Sequence, residues 1–298
     1  MLEIKKYAAI DIGSNAIRLL IANVIVEKDK EPQFRKSSLV RVPIRLGADT
    51  FISGKITPAN TNRMIDAIEA FKLLMKINSV EKYKACATSA MREAENGKEI
   101  AKSIFEKTGV EIEIIGGKKE AAIISSTDLN ELIESDASYL YVDVGGGSTE
   151  FTIFSKGRII NSKSFKMGTV RLINNTKEEN KAIYKDVQNW VETNTSGLKK
   201  LSLIGSGGNI NKLFKMSGRV EGKPISYIYL NAQYQFLKNM SFNDRVSELS
   251  LNPDRADVII PATKIYLSAM KWSGARKIYV PKIGLADGII KSLHQNIL

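Results

Sequence analysis

A chain of 298 residues, 43% hydrophobic and 26% charged, has the length for two domains and the composition of an ordinary globular protein. No apolar run reaches the roughly 18 residues of a membrane span, and the start, Met1-Leu-Glu-Ile-Lys-Lys, has no secretory leader pattern; the cytoplasm is the expected location. One cysteine, Cys86, and one histidine, His294, exclude an internal disulfide and a Cys/His zinc site, and the formal charge of +12 favours polyanionic partners.

In chain order, Tyr7–Asp11 is a short apolar strand that runs into Gly13-Ser14-Asn15, and Ile17–Val26 and Leu39–Arg45 read as further strands. Thr57 and Pro58 open a helix whose Met64, Ile65, Ile68, Phe71 and Met75 recur at helical spacing and therefore belong to a core. Tyr83–Thr88 is a strand followed by a polar turn, Ser89–Glu93. A helix is expected over Ile100–Lys107, a strand over Glu111–Ile115, and a helix from Lys118 toward Leu132 with Glu120 in its first turn.

The pattern then starts again. Ser138–Val142 is a strand ending at Asp143, followed by Gly145-Gly146-Gly147-Ser148-Thr149 and strands over Phe151–Phe154 and Arg158–Phe165. A helix covers about Glu178–Leu198, and strand Leu201–Ile204 leads into Gly205-Ser206-Gly207-Gly208 and a helix from Asn209. A helix runs from Pro253 to Met270, a strand covers Lys277–Val280, and Leu285–Asn296 is a closing helix. Alternating strands and helices argue an α/β fold. The repeated strand–Asp–glycine turn–strand unit argues two tandem copies, 1–124 and 125–298, flanking a cleft, with the last helix free to pack back on the first copy.

Three glycine-containing turns, each directly after an apolar strand, expose backbone N–H groups that suit phosphate oxygens. The last of them also opens a helix. Asp11 and Asp143 end buried-looking strands, where they either cap their own turns or hold a hard cation such as Mg2+; Glu150 is a candidate to share that role. Glu120 is a candidate base, which spacing alone does not separate from Glu113 or Glu93. Arg18 and Arg92 are candidate phosphate clamps. Neither a P-loop nor a G-x-G-x-x-G dinucleotide motif is present.

The blocks Ala9–Leu19, Ala87–Ala94, Val142–Glu150, Met167-Gly168 and Gly205–Gly208 together resemble the exopolyphosphatase/guanosine pentaphosphate phosphatase family, in its short two-domain form. The resemblance implies two ribonuclease-H-like domains of the actin-like ATPase and sugar kinase superfamily. It implies Mg2+-dependent release of terminal phosphate from inorganic polyphosphate or guanosine pentaphosphate, and a homodimer. Under it, Glu120 is the water-activating base, and Asp11, Asp143 and Glu150 lie beside the cation. Ser14, Asn15, Arg18, Arg92, Gly145, Gly146, Gly147, Ser148, Ser206, Gly207 and Gly208 hold substrate phosphates. The chain departs from the family's Gly-x-Glu-Glu-Ala by carrying Lys118-Lys119-Glu120-Ala121, which gives Lys119 as a further phosphate contact. The extra C-terminal helical domains of long members have no counterpart here, so cleavage of shorter chains or of a nucleotide is expected over processive work on very long polymers. A kinase or ATPase on the same fold and a non-catalytic polyphosphate or alarmone sensor are the alternatives; nucleic acid, supported by charge alone, is the weakest partner.

Overall fold

The computed structural model describes residues 2–125, 127 and 137–297. Contacts divide the chain into two compact units, Met1–Thr127 together with Leu285–Leu298, and Asp128–Gly284. In the first unit β1 (Leu2–Ile12), β2 (Ile17–Glu27) and β3 (Gln33–Val42) form an antiparallel meander. Helices α1 (Leu46–Ser53) and α2 (Pro58–Ile77) then lead to β4 (Lys82–Ala87), which lies parallel beside β1. The unit continues with α3 (Ser89–Glu93), α4 (Gly97–Thr108), β5 (Ile112–Ile114) and α5 (Gly117–Ser125), giving the sheet order β3-β2-β1-β4-β5.

The second unit repeats this plan. Strands β6 (Ser138–Val144), β7 (Thr149–Ser155) and β8 (Arg158–Phe165) form the meander, followed by α6 (Thr169–Asn174) and α7 (Lys177–Thr195). Strand β9 (Leu201–Ser206) lies parallel beside β6, and α8 (Gly208–Met216) follows it. Then come β10 (Ile225–Ser226), α9 (Tyr227–Asn239), α10 (Phe242–Ser247), α11 (Pro253–Ala256), α12 (Ile259–Ser273) and β11 (Lys277–Tyr279). The order β8-β7-β6-β9-β11 matches the first sheet strand for strand, with β10 added at the edge. The α/β expectation of two tandem ribonuclease-H-like domains is met. Helix α13 (Leu285–His294) packs on β1 and α5 within the first unit.

Strand ends differ from the pattern for identifiable reasons. Only Tyr7–Ile12 of β1 is buried; Leu2 and Ile4 are exposed and belong to the strand because they pair with β2. β3 ends before Pro43, which has no N–H for a ladder, and Arg45 turns the chain with φ 62° into α1, a helix the sequence pattern does not announce. The expected polar turn at Ser89–Glu93 is a short helix, α3. The helix expected from Pro253 to Met270 is broken into α11 and α12. Pro261 in the first turn of α12 lacks an N–H, and its ring opposes continuation from the preceding turn. The expected continuation of α5 toward Leu132 falls outside the described residues. Two apolar cores result, one around Ile10, Ile68 and Phe71, the other around Leu140, Phe151 and Tyr266. Among the described residues, no helix is long and apolar enough to cross a membrane.

Candidate active site

In the first unit β1 delivers Asp11 to the sheet end, where it stands opposite Arg18 of β2 in register. Arg18 Nη1 lies 2.7 Å from Asp11 Oδ2, and the carboxylate is largely buried. The hairpin turn closes through Gly13 N–H to the Ala16 carbonyl at 3.2 Å. Two further contacts fix it: Gly47 N–H donates to the Ser14 carbonyl at 2.7 Å and Arg45 N–H to the Asn15 carbonyl at 3.1 Å. A trans peptide points its C=O and the next N–H in opposite directions. With these two carbonyls drawn toward α1, the Asn15 and Ala16 N–H groups point away from it. Gly47 is required here, since a Cβ would sit 3.0 Å from Ser14 Cβ and 2.7 Å from the Phe51 ring.

The start of α3 adds Ser89, whose hydroxyl meets that of Ser14 at 2.9 Å, both buried. One turn later Arg92 donates to the Ile115 carbonyl at 2.8 Å and lies 3.8 Å from the Glu120 carboxylate. Glu120 is nearly buried in the first turn of α5, its N–H held by Gly116 O at 2.9 Å. Asp11, Arg18, Arg92, Ser14, Asn15 and Glu120 are thus all carried by the β1–β2 hairpin or by the helices that follow β4 and β5.

Lys119 does not extend this set. It is paired with Glu113, which also binds Lys84 at 2.9 Å. These two lysines, Lys119 first, hold the Glu113 carboxyl below its usual range, so Glu113 is a poorer base than its position suggested. Cys86 lies between Asp11 and Glu113 in the strand register, and burial, then the Glu113 carboxylate, pushes its thiol up to about 12. It stays neutral.

The second unit repeats the turn with different side chains. Asp143 of β6 stands opposite Glu150 of β7, and Gly145 N–H closes the turn on Ser148 O at 3.0 Å. Glu150 is buried, and its Oε1 accepts from Ser148 Oγ at 2.7 Å and from Ser164 Oγ at 2.8 Å. Behind the turn, α6 takes up its carbonyls: Thr169 N–H donates to Gly145 O at 3.0 Å, Val170 N–H to Gly146 O at 2.8 Å, and Arg171 Nε to Gly147 O at 2.9 Å. By the same peptide geometry, the N–H groups of Gly146, Gly147 and Ser148 all point away from α6, and none of the three has an acceptor among the described residues. Such a run of parallel amides is an anion-binding nest. Gly168 lets α6 approach: a Cβ there would lie 2.2 Å from Gly146 O.

Ser206-Gly207-Gly208, at the end of β9, lies beside this turn, since Ser206 is in register with Asp143. The Tyr266 hydroxyl donates to Ser206 O, and Ser206 Oγ donates to Ile283 O at 2.8 Å. Gly207 has φ 112°, and a Cβ there would sit 2.9 Å from Val144 O and 3.4 Å from Asp143 Oδ1. The Tyr141 and Tyr266 phenols are held well above their usual values, by burial first and the Asp143 carboxylate second, so both remain neutral. Ser89, Ser164, Arg171, Tyr266 and Gly47 escaped sequence reasoning as site residues. Only Ser89, directly after an apolar strand as Gly205-Ser206 is, carried a local signal.

Among the described residues no group of three or more His, Cys, Asp or Glu side chains is gathered for a metal. The donor pair in the second unit is Asp143 with Glu150, both hard oxygen ligands, which fits a cation that takes one or two carboxylates and completes its shell with substrate phosphate and water. Asp11 is engaged instead by Arg18.

Comparison with known proteins accounts for this arrangement. The family model described as the Ppx/GppA phosphatase family matches residues 24–297. Exopolyphosphatase 2 of Mycobacterium tuberculosis is 25% identical over 328 aligned positions, which cover 98% of this chain and 99% of that protein. A bifunctional 3-dehydroquinate synthase/phosphatase of Fusobacterium nucleatum is 32% identical over 306 aligned positions; the match covers 92% of this chain and spans 44% of that longer protein. The fold is shared with a crystal structure of an exopolyphosphatase from Cytophaga hutchinsonii, with TM-score 0.85, 22% identity and 98% of each chain covered. It is also shared with the Aquifex aeolicus Ppx/GppA family member, with TM-score 0.78, 23% identity and 99% of each chain covered. The repeated hairpin, the nest of glycine amides and the residues around it are those of a member of the Ppx/GppA phosphatase family, to which this chain belongs.

Proposed function

We propose that this protein is a phosphohydrolase that releases terminal phosphate from inorganic polyphosphate, with Mg2+ as its cofactor and Glu120 as the water-activating base. The observation that carries the reading is the Gly146-Gly147-Ser148 nest, three amides aimed the same way with no acceptor among the described residues. Support for the substrate comes from the exopolyphosphatase relative matched end to end and from the net charge of +12.

In this reading the nest and the Ser206–Gly208 helix start of the second unit bind phosphate oxygens, and Arg18 and Arg92 of the first unit are the phosphate clamps. Asp143 and Glu150 would hold the magnesium, which when bound neutralises phosphate charge. Glu120 accepts the proton of the attacking water. The water oxygen bonds to the terminal phosphorus, the bridging P–O bond breaks, and the shortened chain leaves with the bridging oxygen. Arg92, 3.8 Å from Glu120, orients the carboxylate as well as phosphate.

The test is a phosphate-release assay on polyphosphates of graded length, guanosine pentaphosphate and ATP, with and without Mg2+, on the wild type and Glu120→Gln. Release from polyphosphate that requires Mg2+ and collapses in the variant is expected. Equal release by both proteins removes Glu120 from the reaction. Preferential turnover of guanosine pentaphosphate moves the assignment to the nucleotide, and turnover of ATP alone moves it to the ATPase alternative.

A further inference from the structure

The second unit carries a second concentration of positive charge, away from the glycine nest. A surface cavity of about 590 Å³ lies between α7 and α12 and is lined by Lys177, Lys181, Lys185 and Lys264 around Tyr184; no carboxylate lines it. Lys177, Lys181 and Lys185 follow one another at four-residue spacing and so form a row along one face of α7, with steps of about 6 Å. Lys264 approaches from α12, its Nζ 4.7 Å from the centre of the Tyr184 ring. Among the described residues none of the four makes an ion pair, unlike Lys36, Lys84 and Lys119, each of which has a carboxylate partner.

Three of the four acids of the same helix have other partners: Glu179 closes the capping box with Thr176, Asp186 faces Lys163 at 4.0 Å, and Glu192 accepts from Gln188 Nε2 at 2.8 Å. Like charges at this spacing weaken a helix, so the row is not explained by the stability of α7. Residues two apart on a helix differ by about 200° in direction. Tyr266 reaches Ser206 behind the nest, and Lys264 therefore faces the opposite side of α12. The cavity is thus separated from the nest by the body of that helix.

We propose that the α7–α12 cavity is a second binding site for inorganic polyphosphate, one that retains a segment of a long chain. A line of ammonium groups matches a linear polyanion better than a single phosphate, which meets only one or two of them. Single-stranded nucleic acid fits less well, because it calls for open aromatic faces and the one ring in the cavity is covered by Lys264. The identity of the polyanion rests on the hydrolase reading; the site itself rests on the lysine row. Its functional consequence is a preference for long chains over short ones, contrary to the expectation drawn from the sequence that shorter substrates are favoured.

The test compares the wild-type chain with Lys181→Gln/Lys185→Gln/Lys264→Gln. Two quantities are measured: affinity for long-chain polyphosphate and for tripolyphosphate at a series of salt concentrations, and phosphate release from both. The variant is expected to bind the long chain about tenfold or more weakly, with a shallower salt dependence, while its affinity for tripolyphosphate changes far less. Equal losses for the two ligands, or no loss for the long chain, overturn the second site whether or not the protein cleaves polyphosphate. A wild type that releases no phosphate but loses long-chain affinity through these substitutions keeps the site and removes the hydrolase reading. An oligonucleotide bound more tightly than polyphosphate, and released by the same substitutions, overturns the assigned ligand. Unfolding temperatures within about 2 °C of each other ensure that both proteins are folded.

Discussion

In the β1–β2 hairpin Asp11 faces Arg18, whereas in the β6–β7 hairpin the corresponding Asp143 faces Glu150. The backbone plan is the same in both: strand, aspartate, glycine-containing turn closed by an N–H to a carbonyl three residues on, and an antiparallel return. The electrostatics differ. The first hairpin neutralises its own carboxylate and keeps an arginine at the rim. The second sets two carboxylates opposite each other, an arrangement unfavourable in itself, and the Ser148 and Ser164 hydroxyls both donate to Glu150. The duplicated frame thus carries an arginine–carboxylate pair in one copy and two facing carboxylates in the other, and under the proposed function the first meets phosphate and the second the cation.

The division can be broken most severely at Glu120, which belongs to the arginine-bearing unit. Glu120→Gln is expected to lower kcat about 100- to 10,000-fold with little effect on unfolding temperature, measured by phosphate release and thermal melts. Next in size is Gly168→Ala, which strikes the second hairpin from behind. With only 2.2 Å between the new Cβ and Gly146 O, the α6 support must shift, destabilising the protein by about 1–3 kcal/mol in denaturant titrations. The same contact logic holds in the first unit for Gly288→Ala. Its Cβ would meet Ile123 O at 2.2 Å on α5, one turn from Glu120, so kcat should fall more than KM rises.

The paired substitutions Asp143→Asn and Asp11→Asn sharpen the contrast directly. The first is expected to raise the Mg2+ concentration for half-maximal activity on the order of tenfold; the second should leave that value nearly unchanged and weaken substrate binding through the freed Arg18. Equal effects on Mg2+ dependence would place both aspartates at the cation and end the distinction.

The smallest effect is expected at Glu113, outside both turns. Its folded pKa is depressed by Lys119 and Lys84, so its contribution to stability is present above the unfolded carboxyl value and is lost as pH falls through the folded value. Glu113→Gln should therefore reduce stability at neutral pH, and the gap from wild type should close as the pH drops below the carboxylate range. A gap that widens on acidification would contradict the assigned pairing.

The sequence by itself determined the buried strand segments, the two aspartate-bearing turns, their repetition and the glycine loops after β6 and β9. All of these follow from local rules, namely apolar runs that bury and glycines that permit tight turns. Pro43 and Pro261 were legible as chain breakers too, although the strand over Leu39–Arg45 and the helix across Pro261 were expected in spite of them. Tertiary structure alone decided which partner each polar group found: Lys119 with Glu113 rather than with phosphate, Glu150 with Ser164, Tyr266 with Ser206 across 60 residues, and Gly168 beneath Gly146. Those choices depend on strand register and on how closely a helix can approach a turn, and no residue's neighbours along the chain encode either distance.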